Sequence, residues 1–254
     1  MSRYYCDLHI HSCLSPCGDE DMTPGNIVGM AQLNGLGIIA LTDHNSTKNC
    51  PAFFKIAKAN GIIPVAGMEL TTAEDVHVVC LFRNLEDAMA FGEFVESKRI
   101  RIRNRPDVFG NQQITDENDE VCGEEPNLLI NAVDLSIDEA YDEVQRRGGV
   151  CYPAHIDRSA NGIVSMLGDF PPEPPFTAFE LNDIDSLENC LERFPILRER
   201  GLVHVASSDA HYLPDIADPG FALELEDEPY SSDLVRNRLI DYLLGIRKDG
   251  EGHG

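Results

Sequence analysis

The sequence predicts an α/β fold in which strands covered by helices curl into a closed or nearly closed parallel barrel. Three observations carry this expectation. Short, near-continuous apolar runs recur seven times, the pattern of strands buried on both faces. Helix-like stretches lie between most of them, as parallel connections require. Histidines and carboxylates stand at or near the ends of the runs, where the loops of such barrels gather their chemistry.

The elements follow in order. Tyr4–Ile10 is the first predicted strand. Pro24–Asn34 is helical because Thr23 supplies a cap and Pro24 suits the first helical position. Gly37–Leu41 is a strand, and Lys48–Asn60 is a helix that stops at Gly61, the residue type that most readily turns left-handed after a helix. Ile62–Ala66 and Val76–Phe82 are strands. Leu85–Arg99 is helical, with apolar residues at 88, 91, 94 and 95. Ile137–Arg147 follows the cap Ser136, has Glu139 at the third position and ends at Gly148. Gly149–Tyr152, Ala178–Leu181 and Leu202–Ala206 are the last predicted strands, and Val235–Leu244 is a closing helix before Gly245. The segment 101–135 breaks the rhythm and reads as an insert over the barrel mouth or side. Within it, FGNQQITDENDEVC predicts a hairpin turning near Asn118-Asp119. No interdomain linker stands out, so residues 1–254 are read as one domain.

Composition narrows the function. A chain of 254 residues buries a core without disulfide or metal staples. The balance of 44 Asp+Glu against 20 Lys+Arg, a net charge of -24, repels nucleic acid and anionic membrane at long range. Long nucleic acid is therefore not an expected partner, whereas a small phosphorylated substrate held by metal ions is. No apolar run approaches the roughly 18 residues of a membrane span, and MSRYYCDLHIH lacks the apolar stretch of a signal peptide. The 8 cysteines are too sparse for a disulfide scaffold and read as reduced thiols in a cytoplasm. Cys13 and Cys17 have no second pair at zinc-site spacing.

The histidines carry the chemical signal. In His9-Ile10-His11 the two imidazoles share a face of the strand, while Leu8 and Ile10 point into packing. The same period pairs Asp209 with His211 after LVHVA. Asp43 and His44 follow GIIAL, Glu69 follows IIPVA, His155 follows GGVCYPA, and His77 opens VHVVCLF. Asp19 lies in the loop after the first strand, beside Glu20 and Asp21. Any one of these is more simply a cap or a hydrogen-bonded loop residue. Together they converge at one rim, where buried carboxylates and imidazoles need a cation. Mixed nitrogen and oxygen donors suit Zn, Mn or Fe over a pure Ca or Mg cage.

DLHIHSCLSPCGD, LTDHNS, PVAGMEL, CYPAHID and ASSDAH, in that order across residues 5–212, resemble the successive motifs of the PHP (polymerase and histidinol phosphatase) superfamily. The resemblance implies a distorted seven-stranded (β/α)7 barrel, a trinuclear centre of divalent ions at the C-terminal ends of the strands, and phosphoester hydrolysis. It implies His9, His11, Glu69 and Asp209 around one metal. Glu69 would bridge to a second metal held by His77 and His155, and Asp19, His44 and His211 would hold a third. The loop SCLSPCGDEDMTP is longer than the family's usual stretch, which leaves Glu20 and Asp21 as alternatives to Asp19. The insert at 101–135 resembles no family branch.

A hydroxide generated between two ions would attack phosphorus, so no protein nucleophile is needed. Asp43 orients His44 or caps the turn after it. Arg158 is the candidate to grip a non-scissile phosphate, with a surface salt bridge as the alternative. Arg99, Arg101, Arg103 and Arg105 read as a strip pairing with the acidic run 116–120, in preference to a phosphate clamp. Glu180 and Asn182 are candidates to face the site. His204 is out of phase with it, and His253 has no role.

The favoured function is hydrolysis of small phosphate esters, nucleotides or short oligonucleotides above histidinol phosphate. A non-catalytic PHP module competes, but the ligand set looks complete. A C–N hydrolase would want a metal-bridging lysine on a strand, and Lys55 and Lys58 fall in a helical stretch.

Overall fold

The predicted runs become strands at nearly the expected places. The computed structural model describes residues 1–216 and 220–246, and His253 lies outside them. The strands are β1 (Ser2–Ile10), β2 (Ile38–Leu41), β3 (Ile63–Thr71), β4 (His77–Phe82), β5 (Gln113–Thr115), β6 (Val121–Glu124), β7 (Val150–Pro153), β8 (Ala178–Leu181), β9 (Val203–Ala206) and β10 (Ala222–Leu225). The longer helices are α1 (Pro24–Leu33), α2 (Cys50–Ala59), α3 (Leu85–Lys98), α5 (Ile137–Arg146) and α9 (Ser232–Leu243). Short ones are α4 (Pro106–Phe109), α6 (Ile163–Leu167), α7 (Leu187–Arg193) and α8 (Pro195–Glu199). The Thr23 hydroxyl accepts from the Asn26 N–H, and Ser136 and Glu139 form the expected reciprocal cap.

The sheet differs from the all-parallel barrel expected. Six strands form one curled sheet in the order β10-β1-β2-β3-β4-β7, and β8-β9 form a separate parallel pair. β1, β2 and β3 are parallel, but β4 runs antiparallel to both β3 and β7, and β10 runs antiparallel to β1. The reason is the connection between β3 and β4, residues 72–76, which is too short for a parallel crossover. β4 therefore starts at the rim where β3 ends. Between backbones, the β8-β9 pair meets the large sheet through Ile156 N–H to the Glu180 carbonyl at 2.9 Å near β7 and His11 N–H to the Ala210 carbonyl at 3.0 Å near β1.

Two apolar clusters cover the two faces. Ile38 and Ala40 pack with Val65, Leu81, Tyr152 and Val205, while Ile39 and Leu41 pack on the other side against α1 and α2. Helix α9 adds Val235, Leu239, Ile240 and Leu243 to the first cluster. β1 breaks strict alternation. Its register against β2 shifts between Asp7 and Ile10, so Leu8 and Ile10 pack in different clusters and not together as expected.

The segment 101–135 contains the predicted hairpin, β5-β6, with Asp119 in the left-handed region (φ 61°) at its turn. The arginine strip does not pair with residues 116–120 as a group. Arg99 pairs with buried Glu125 at 2.8 Å, and Arg105, which immediately precedes α4, pairs with Asp107 in its first turn at 2.9 Å. Glu117 of the acidic run pairs instead with Lys55, on α2. Among the described residues, no helix is long and apolar enough to cross a membrane.

Candidate metal centre

The rim gathers the donors from separate strands. His9 and His11 come from the end of β1, His44 follows β2, and Glu69 lies near the end of β3. His77 opens β4, His155 follows β7, Glu180 lies on β8, and Asp209 and His211 follow β9. Gly67 makes the β3–β4 approach possible: a Cβ there would lie 2.6 Å from the Cys80 carbonyl oxygen. In that tight pair Thr71 stands opposite His77. The reversed direction of β4 is thus what carries His77 to the same rim as Glu69.

Glu69 is the hub. Its Oε1 lies 2.7 Å from His77 Nδ1 and 3.0 Å from His155 Nε2. Its Oε2 lies 3.0 Å from His44 Nδ1, 3.2 Å from His11 Nε2 and 3.4 Å from His9 Nε2. Asp209 Oδ1 lies 3.1 Å from His11 Nε2 and 3.4 Å from His9 Nε2. His9, His11, Glu69 and Asp209 form one group with donor atoms close enough to share a cation. His44, Glu69 and His77 form a second, and His11, His44 and His211 a third. All are buried except His211, which is partly exposed.

Orphaned atoms test whether a cation fits. Glu69 Oε2, Asp209 Oδ1 and His44 Nδ1 are buried and have no hydrogen-bond partner, although other donors crowd them at 3.0 to 3.4 Å. Buried polar atoms are rarely left so. Lone pairs converging without bonding geometry are reconciled by a shared cation, and imidazoles with carboxylates suit a transition-metal or zinc ion. The residues fit a divalent metal.

Electrostatics divide the histidines. Burial opposes charge on His9, but Glu180, Glu69 and Asp209 override it and hold the ring well above its ordinary value. Burial is likewise outweighed at His11, which Asp209 and Glu69 lift to about 9. At His44 burial wins and lowers it to about 4, and at His211 burial with the neighbouring His11 lowers it to about 3. Burial would raise Glu69, yet the imidazoles around it pull it well below the usual carboxylate range.

Supporting groups orient the rings. His9 Nδ1 lies 2.9 Å from Glu180 Oε1, which also accepts the His155 backbone N–H at 3.2 Å. His155 (φ 29°) and Asp209 (φ 50°) are left-handed without being glycine, a conformation kept only where surroundings enforce it. Through Ser15, whose hydroxyl also accepts the His44 N–H at 3.2 Å, Asp43 reaches His11 as well as the His44 expected. It accepts from Ser12 and Ser15 hydroxyls at 2.7 and 2.8 Å, and the Ser15 hydroxyl lies 2.9 Å from His11 Nδ1. The carboxylate therefore steadies His11 through Ser15. Sequence reasoning missed Ser12, Ser15 and Asp7; the serine spacing immediately after His11 was the available signal. Ser208 donates to Asp7 at 2.6 Å, tying the loop after β9 to β1.

His155 stays outside these groups although its Nε2 lies 3.0 Å from Glu69 Oε1, and Asp19 stays outside them altogether. Asp19 Oδ1 accepts the Asp21 N–H at 2.9 Å, so the carboxylate closes its own turn. Only its backbone approaches the site, donating to the His211 carbonyl at 2.9 Å. Glu20 accepts from Asn111 at 2.7 Å, and neither it nor Asp21 joins the groups. His204 is outside them too, as its phase predicts. A cavity of about 650 Å³ opens over the centre, lined by Arg158, Asn182, Ser208, Asp209, His211 and Tyr212 among others. Arg158 pairs with Asp209 Oδ2, and its guanidinium also donates to Asn182 Oδ1 at 2.8 Å.

Comparison with known proteins adds a family. The PHP domain model matches residues 7–145. A PolC-type DNA polymerase III of Thermotoga maritima is 39% identical over 89 residues, 34% of this chain and 6% of the polymerase. An uncharacterised protein of Methanocaldococcus jannaschii is 34% identical over 86 residues, 31% of this chain and 50% of that protein. The matched stretches thus span at most half of these relatives. Among solved structures, a lesion-specific endonuclease of Pyrococcus furiosus superposes with a TM-score of 0.63 at 17% identity, covering 97% of this chain and 57% of its own. An Endonuclease Q bound to a 27-mer duplex with an abasic lesion gives 0.59 at 17% identity, over 97% of this chain and 57% of that one. A protein assigned as a metal-dependent phosphoesterase from Bifidobacterium adolescentis gives 0.57 at 19% identity, over 92% and 95%.

Proposed function

The chain belongs to the PHP domain family, and on that premise we propose that it is a metal-dependent phosphoesterase acting on small phosphate esters, with nucleotides or short oligonucleotides favoured. One observation carries the reading: His9, His11, Glu69 and Asp209 converge, buried, with orphaned oxygens on both carboxylates. His9, His11, Glu69 and Asp209 would hold one divalent ion. Glu69, with His44, His77 and His155, would serve a second, and His11, His44 and His211 a third. Bound there, such ions supply Lewis-acid activation of water and neutralise the charge of a phosphoryl group.

The chain's own groups do the rest. Glu180 fixes the His9 ring so that Nε2 faces the centre. Asp43 and Ser15 do the same for His11. Arg158 lines the cleft with its guanidinium beside Asp209 Oδ2, placed to take a non-scissile phosphate oxygen, while Asp209 Oδ1 would serve a metal. No serine or cysteine is required as a nucleophile: Ser208 is bonded to Asp7, and burial pushes the Cys17 thiol up to about 12, away from its reactive form.

Charge alone does not exclude long nucleic acid. An Endonuclease Q with this fold holds a DNA duplex, and a cation-filled cleft sets the local potential against a net charge of -24. Lysine-dependent C–N hydrolysis is not supported, because Lys55 and Lys58 leave α2 toward Glu117 and Asp233.

The test is hydrolysis by Mn²⁺-reconstituted protein, read as inorganic phosphate released from the monoesters and as shortened strands for the oligoribonucleotide and the duplex, with His211→Ala as control. The panel holds a nucleoside 3′,5′-bisphosphate, a short oligoribonucleotide, an abasic-site duplex, histidinol phosphate and an aryl phosphate. Metal-dependent turnover lost in the variant supports the reading. No turnover on any of them, with metal confirmed bound, overturns it in favour of a binding role.

A further inference from the structure

A second cavity of about 520 Å³ adjoins the metal cleft, and the two share Cys17 and Tyr212 in their walls. One side of it comes from the insert: Val108, Phe109 and Gly110 at α4, with Ile130 further along. Val108 is 55% exposed, Phe109 38% and Tyr212 53%, apolar and aromatic surface that the fold leaves uncovered. The other side comes from the loop after β1 and includes Asp19 and Glu20.

The insert is anchored in this position. Asn111 donates to Glu20 Oε1 at 2.7 Å, Gln113 N–H donates to the Cys13 carbonyl at 2.9 Å, and Asn104 donates to the Gly110 carbonyl at 2.9 Å. Gly110 is left-handed (φ 77°) and brings the insert so close that a Cβ there would meet the Pro16 carbonyl oxygen at 3.3 Å.

Charge is divided along the joined groove. Arg158 lines the first cavity and not the second, whereas Asp19 and Glu20 line the second and not the first. Asp209 and Asp215 also line the first cavity, where Arg158 and the cations of the proposed centre would offset them, whereas no cationic residue is among those lining the second, so an anionic group is disfavoured beside α4. The second cavity suits a planar, neutral group that lies on aromatic side chains and offers N–H donors to carboxylates. A nucleobase has that chemistry: every base has a face that stacks, and adenine, cytosine and guanine carry exocyclic amines. The volume is in the range of small-molecule sites.

We propose that this cavity is the base subsite of a nucleotide substrate whose phosphate lies at the metal centre, and that the insert confers this preference through Phe109 with Tyr212. The proposal rests on the phosphoesterase reading for its substrate, and deepens it by assigning the insert a role in selection.

The test has two arms on the metal-loaded full chain. The first compares a nucleoside 5′-monophosphate with ribose 5-phosphate, which lacks the base. Phe109→Ala raises KM for the nucleotide about tenfold more than for the sugar phosphate, and Phe109→Tyr restores most of the difference. The second follows 2-aminopurine riboside 5′-phosphate by fluorescence, which is quenched by wild type and about tenfold less tightly bound by Phe109→Ala. If neither phosphate is turned over but the fluorescent nucleotide binds through Phe109, the phosphoesterase reading fails and the base subsite stands. If both esters are hydrolysed with equal response to Phe109→Ala, or the fluorescent nucleotide binds wild type and Phe109→Ala alike or not at all, the base subsite is wrong.

Discussion

His9 and Glu180 form a buried pair, Nδ1 to Oε1 at 2.9 Å, that joins β1 to β8 across the rim of the candidate metal centre. The contact fixes which nitrogen of His9 faces inward, since the other ring nitrogen then lies 3.4 Å from both Glu69 Oε2 and Asp209 Oδ1. Such partners set ring orientation and raise ligand basicity.

Glu180→Ala is therefore expected to weaken metal binding about 10- to 100-fold while the protein still folds. Glu180→Gln, which keeps an acceptor, should lose less. Competition for Zn²⁺ or Mn²⁺ against a chromophoric chelator reads both. An unchanged affinity in Glu180→Ala would show that His9 needs no such support.

Arg158 is about half exposed on its side chain and is held by Asp209 and Asn182. Arg158→Ala should raise KM for a phosphate ester about 10- to 100-fold, the worth of a hydrogen bond to a charged group, with kcat changed much less. Arg158→Lys should recover only part of this, because an ammonium lacks the planar fork. A fall in kcat with KM unaltered would move Arg158 from substrate holding to another role.

The metal-free protein is expected to lose stability as pH rises from 6.5 to about 9. Burial disfavours charge on His11, yet Asp209 and Glu69 raise it from 6.5 to about 9, and His9 is raised in the same direction. A folded-state value above the unfolded one stabilises the fold fully below pH 6.5, and that stability is lost as pH climbs through about 9. The melting temperature of chelator-treated protein should drop between these limits. Metal must displace the same protons, so the loaded protein should show the opposite trend as binding tightens. A melting temperature of the metal-free form that climbs from pH 6.5 to 9 would contradict the proton assignment.

Glu125 anchors the insert. Its carboxylate accepts from Arg99 at 2.8 Å and from Lys48 at 2.5 Å, with the Glu125 and Arg99 side chains only 1% and 6% exposed. Removing it strands a buried guanidinium. Glu125→Ala should cost about 3 kcal/mol in a denaturant melt and increase proteolysis within 101–135. A loss below the scatter of surface substitutions would mean that other contacts, Asn111 to Glu20 at 2.7 Å and Gln113 N–H to the Cys13 carbonyl at 2.9 Å among them, hold the insert without it.

Much of this protein was legible one residue at a time. Apolar runs marked nearly every main strand, and the Thr23 and Ser136 caps marked two helix starts, because both signals are local. His9, His11, His44, Glu69, His77, His155, Asp209 and His211 announced themselves by residue type at strand ends. Other features depended on where distant segments meet. A short connection reversed β4 and so brought His77 to Glu69, and a register shift in β1 separated Leu8 from Ile10. The Asp19 carboxylate went to its own turn, which no spacing rule foretold. Glu180 reached His9 from 171 residues away, and the insert found its place against the loop after β1. Sequence by itself determined the element types and the chemistry at the rim, since periodicity, capping and side-chain donors are properties of short stretches. Tertiary structure decided strand direction, which carboxylates meet which imidazoles, and what lines the second cavity, because those follow from packing between segments far apart in the chain.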